Sequence, residues 1–176
     1  PEIQKKAARL IENAVAFFAD DKTSEAMEAY SQALDLNADD MTALAGIGWC
    51  LLAEGDIDAV REMFGQITPE QQQSPAFKGL SFVLAAAPPG DDAAVLLARI
   101  EKNKKDHAAR YDLAQLYLSQ GRVSEAIDAL IDLTRLDREW NDQKARALLV
   151  SVFDALGPAH AYTARGRRKL SAVLFS

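Results

Sequence analysis

Apolar residues return along this chain with the period of helices. From Val123 onward, Ala126, Ile127, Leu130, Ile131 and Leu133 fall on one face. Glu125, Asp128, Asp132 and Arg135 fall on the other, as about 3.6 residues per turn requires. No stretch alternates with period 2, so no β-sheet is expected. Punctuation agrees with helices. Thr68-Pro69 and Ser74-Pro75 read as an N-cap residue followed by proline at the first helical position, where its missing N–H costs nothing. Pro88, Pro89 and Pro158 also stand between periodic stretches, and Gly55, Gly90, Gly121 and Gly157 mark turns.

The helical segments repeat. Ala14 and Phe17 precede Ala26, Tyr30 and Ala33; Gly48 and Leu51 precede Val60, Phe64 and Ile67; Ala114 and Tyr117 precede Ala126, Leu130 and Leu133. In every set the steps are 3, 9, 4 and 3 residues. This is the spine of a tetratricopeptide repeat, whose period is about 34 residues. Small residues at Ala14, Gly48 and Ala114 let paired helices approach, and stacked pairs bury what one pair cannot. The expected fold is an all-α, tetratricopeptide-repeat-like α-solenoid of about ten helices. Repeats are expected at about 7–40, 41–74 and 107–136, with a degenerate one at 75–106 holding helices near 75–87 and 91–103. Residues 137–176 would add capping helices near 141–156 and 159–175.

Composition narrows the chemistry. Twenty Lys and Arg against 26 Asp and Glu leave a net charge of −6, which disfavours a nucleic-acid partner. No apolar run nears the ~20 residues of a membrane span, so a soluble, cytoplasmic chain is expected. It opens at Pro1 without an initiator Met, which reads as a fragment of a longer protein. His107 and His160 are 53 positions apart, with no second histidine one turn away, so no metal site is expected. His107, behind Asp106 at a helix start, reads as surface or capping. Asp39-Asp40 and Asp91-Asp92 read as caps. Cys50, the one cysteine, reads as buried and inert. No phosphate loop, nucleophile elbow or nucleophile–base pair is present. Neither cofactor nor catalysis is expected.

Stacked helical pairs make a groove, and a protein-binding module is the natural use of one. Its lining positions carry Ile11, Val15 and Phe18, then Trp49, Leu52 and Ala53, then Tyr111, Gln115 and Leu118. Lys, Arg and Asn are missing from these places, which disfavours a receptor for carboxylate tails. An apolar, aromatic lining suits an amphipathic helix or an unfolded apolar segment. The alternative is that a neighbouring segment or a second copy fills it, as a homodimer.

The last stretch differs in charge. Gly157 to Ser176 holds Arg165, Arg167, Arg168 and Lys169 and no acid, while residues 1–156 carry −10. A helical wheel puts Tyr162, Gly166, Leu170, Val173 and Leu174 on one face, expected to dock on the preceding helix. Arg165, Arg168 and Phe175 point the other way. They make either a basic helix end that complements the dipole or a basic-aromatic tip for a partner.

The succession Asp137-Arg138-Glu139-Trp140-Asn141-Asp142, Ala145-Arg146, Phe153, Leu156-Gly157, Arg167-Arg168-Lys169-Leu170-Ser171 and Leu174-Phe175-Ser176 resembles the C-terminal half of the bacterial thioredoxin-like co-chaperones called chaperedoxins (the YbbN/CnoX type). The segment His107-Ala108-Ala109-Arg110-Tyr111-Asp112-Leu113-Ala114, ending in Gly121-Arg122, is similar too. The resemblance implies an N-terminal thioredoxin-like domain outside this chain and a holdase that binds unfolding clients under oxidative stress. It also implies transfer to a GroEL-type chaperonin, with docking carried by Arg167, Arg168, Leu170, Leu174 and Phe175. A self-associating or scaffolding tetratricopeptide adaptor in an unrelated bacterial assembly is the competing expectation.

Overall fold

A computed structural model describes residues 1–176 and contains eleven α-helices, one 3-10 turn and no strand. The all-α fold of tetratricopeptide type is as expected. The chain divides into two compact units, Pro1–Ser81 and Phe82–Ser176.

The first unit holds α1 (Glu2–Ala19), α2 (Thr23–Leu36), α3 (Met41–Ala53), α4 (Ile57–Gln66), the single turn α5 (Pro69–Gln72) and a 3-10 turn (Pro75–Phe77). α6 (Lys78–Leu84) carries the division between the units. The second unit continues with α7 (Ala93–Lys102), α8 (His107–Ser119), α9 (Val123–Leu136), α10 (Lys144–Leu156) and α11 (Ala161–Leu174).

The repeat spine is the core. Ala14, Ala26, Ala33 and Val60 in the first unit, and Ala114, Ala126, Leu130 and Leu133 in the second, are fully buried. Acidic caps start the helices: Asp40, Asp56, Asp92 and Asp106 each accept from the N–H three residues on, at 3.0 Å. Thr68 and Gln71 form a reciprocal capping box. Asp39 and Asp91, by contrast, are not caps; Asp91 pairs with Arg99. Ser74 makes no side-chain cap either.

Three helices end in the same way. The N–H of Lys22, Asp56 and Arg122 donates to the carbonyl of Phe17, Leu51 and Tyr117, at 2.8, 2.9 and 2.8 Å. The residue between turns left-handed: Asp21, Gly55 and Gly121 at φ 59°, 83° and 78°. Thus the large spine residue that fills the gap beside the small one also terminates its helix.

Two boundaries differ from the sequence expectation. The helix expected to reach residue 87 stops at Leu84, because Pro88 and Pro89 have no N–H for the carbonyls of Leu84 and Ala85 and their rings would clash with them. The helix expected from 141 begins at Lys144, since Asn141, Asp142 and Gln143 all stand left-handed, at φ 46°, 55° and 62°.

Candidate functional site

Within the second unit, Gly166 brings α11 onto the chain. A Cβ there would stand 2.7 Å from a ring carbon of Phe153 and 3.0 Å from Cγ2 of Ile127, so only a bare Cα permits this approach. α11 therefore packs against α9 as well as α10, and not on its predecessor alone as the wheel suggested. Lys169 Nζ confirms the neighbour by pairing with Asp128 of α9 at 2.9 Å.

The tail residues do not act as one face. Leu170 is buried, Leu174 half-buried, and Phe175 is 86% exposed. Arg167 lies over the Phe153 ring, its guanidinium carbon 5.7 Å from the centroid. Together Arg167, Leu170, Leu174 and Phe175 line a cavity of about 270 Å³ whose other wall is Arg146, Val150, Phe153 and Asp154 of α10. Arg168 is exposed and stands outside that lining. Arg165 lies over the Tyr162 ring, its guanidinium carbon 5.6 Å from the centroid. The α10 wall was missed in the sequence. Val150 of that wall is 47% exposed, whereas Ala145, Leu149, Val152, Phe153 and Ala155 of the same helix are buried.

The expected groove positions mostly went into the core. Phe18, Trp49, Leu52, Tyr111 and Leu118 are all at most 8% exposed. Their low exposure is what the alternative of a groove filled by a neighbouring segment of the chain expects. Val15 remains 47% exposed. Ile11 is half-buried and lines a cavity of about 560 Å³ in the first unit, with Ile3, Ala7 and Leu36. In the second unit, Gln115 and Leu118 line another of about 270 Å³, with Phe82, Ala85, Ala86, Ala87 and Leu148.

The residues with chemistry are structural. No group of His, Cys, Asp and Glu is placed to hold a metal ion. His160 caps α11, its Nδ1 accepting from the Tyr162 N–H at 3.1 Å. Burial, helped by the charge of Arg165, lowers its pKa from 6.5 to about 4. His107 is not a surface residue: its side chain is 16% exposed, with Nε2 3.7 Å from Asp137 Oδ2 and its ring edge-on to Trp140. Asp106 does the capping there. Burial and, less so, Glu54 push the Cys50 thiol up to about 12, so it stays protonated and inert. No helix is long and apolar enough to cross a membrane.

Paired antiparallel helices with buried small-residue spines, repeated in one register, define a helical-repeat protein. Two family models, both described as tetratricopeptide repeat, match residues 17–81 and 85–175. The chain belongs to the tetratricopeptide-repeat family, whose repeats serve as protein–protein interaction modules. No curated protein matches it. Among solved structures, a domain of protein VP0806, of unknown function, from Vibrio parahaemolyticus is 19% identical, with a TM-score of 0.45 over 94% of this chain and 98% of that one.

Proposed function

We propose that this chain is the interaction module of a co-chaperone and that it docks on a partner through the groove between α10 and α11. The observation that carries the reading is the clustering of four tail residues, Arg167, Leu170, Leu174 and Phe175, around one cavity with Phe175 86% exposed. An aromatic residue on a basic rim is a favoured interface anchor, since it buries much area at little entropic cost.

The resemblance of the 137–176 segment to thioredoxin-like co-chaperones supplies the partner: a GroEL-type chaperonin at the tail, and unfolding clients on the cavities lined by Ile11 and by Gln115 and Leu118. A role in bacterial stress response, beside a thioredoxin-like domain, belongs to the same proposal. The test is co-elution with purified chaperonin. The intact chain co-elutes, whereas Phe175→Ser and Arg167→Glu variants of unchanged helix content do not. Retained co-elution of both variants sinks the tail assignment.

Ile3 and Val15, 61% and 47% exposed on α1, favour a second reading, a scaffold that self-associates through the first unit. A chain that stays monomeric at high concentration counts against it.

A further inference from the structure

The segment 137–143 holds more than a turn between α9 and α10. Trp140 sits against two aromatic residues of α8, its ring 5.6 Å from that of Tyr111 and 6.4 Å from that of His107. Asp137 faces His107, and Lys144 lies over the other ring of the pair, 4.5 Å from the Tyr111 centroid. On the opposite side, Arg138 Nη2 donates to the carbonyl of Val173 at 2.9 Å, in the last turn of α11. One short segment thus grips the start of α8 and the tip of the chain.

It does so under strain. Asn141, Asp142 and Gln143 stand left-handed in succession, at φ 46°, 55° and 62°, and none is glycine. L-residues visit that region singly and not in runs, because Cβ crowds the following carbonyl. The run is bounded by the Trp140 seat before it and α10 after it, with the Lys144 N–H reaching back to the Trp140 carbonyl at 3.4 Å.

We propose that residues 137–143 are a strained clasp that couples the C-terminal tip of α11 to the seat of Trp140 on α8. Letting go of the Val173 carbonyl removes one restraint, and relaxation of the left-handed run then lifts Trp140 from Tyr111 and His107. A partner that pulls on the last turn of α11 is thereby reported at α8. The use of the coupling rests on the tail-docking reading, but the coupling itself is measured without any partner.

The experiment uses the full chain with Trp49→Phe, so that Trp140 is the sole indole. Arg138→Ala raises acrylamide quenching of Trp140 by about twofold or more, shifts its emission to the red and speeds amide exchange at residues 107–111. Adding Gln143→Gly, which relieves strain in the seated turn, brings quenching back toward the parent value. A role for Arg138 in stability alone would not respond to Gln143→Gly in that way. Unchanged quenching in Arg138→Ala at unchanged helix content overturns the coupling. If Arg138→Ala loses helix, a chain ending at Ala172, which lacks the Val173 carbonyl, replaces it, and seated Trp140 in that chain overturns the coupling equally. Loss of chaperonin co-elution with intact coupling would instead fault the docking reading alone.

Discussion

Leu80 packs directly on the bare Cα of Gly48: a Cβ added at Gly48 would stand 2.7 Å from Leu80 Cδ1, with Met63 Cε at 3.1 Å. The second small residue of the spine is therefore small because α6 lies over it. Gly48→Ala forces Leu80, which is fully buried, out of place and costs about 1–3 kcal/mol. Gly65, near the end of α4 with nothing within 4 Å, is the control. There alanine gains about 0.5–1 kcal/mol through helix propensity and the unfolded state. Urea unfolding of both variants checks the contrast, and equal effects would mean that Leu80 is not held.

The shared helix ending yields a second prediction. Asp21 occupies the left-handed position that glycine fills in the two later repeats. Asp21→Gly should stabilise by about 0.5–1 kcal/mol, since the backbone penalty for an L-residue exceeds the entropy glycine adds. The reverse change, Gly121→Ala, should cost about 1 kcal/mol. Thermal melts of the pair decide it, and a loss on Asp21→Gly would show that the aspartate side chain contributes more than its backbone costs.

These two cases also show what was legible in advance. The spine spacing and the turn glycines are local patterns, so the α1–α2, α3–α4 and α8–α9 hairpins could be read from residue types alone. The end of the helix before Pro88, in the degenerate stretch, and the start of α10, in the capping segment, were read less well, because Pro88 and the left-handed run at Asn141–Gln143 override helical propensity through backbone sterics. Site residues were legible only in part. Trp49 and Tyr111 are large and apolar whether they line a groove or fill a core, and only burial separates the two. Val150 and Arg146 face the tail through tertiary packing that no local pattern encodes.

Cys50 gives a third prediction. Its thiol is fully buried and pushed up to about 12, so almost no thiolate exists at neutral pH. Alkylation by a maleimide or iodoacetamide in the folded protein should be no faster than global unfolding, and it should speed up in step with urea. Rapid labelling of native protein would mean that α3 opens locally around Gly48 and Cys50.

His160 makes the stability of α11 depend on pH. The neutral ring accepts the Tyr162 N–H at Nδ1. A protonated ring cannot, and its charge would be buried beside Arg165. Its pKa is lowered from 6.5 to about 4, so between those values the unfolded chain holds more protons at this position than the folded one. Stability from this group is then complete above about 6.5 and is lost as pH falls toward 4, by at most about 3 kcal/mol. His160→Asn keeps a capping acceptor without the titration. Urea midpoints at pH 7 and pH 4.5 should fall further apart for the parent chain than for His160→Asn. The carboxylates common to both proteins cancel in that comparison. If the two chains lose stability in parallel, the histidine is not titrating against the cap.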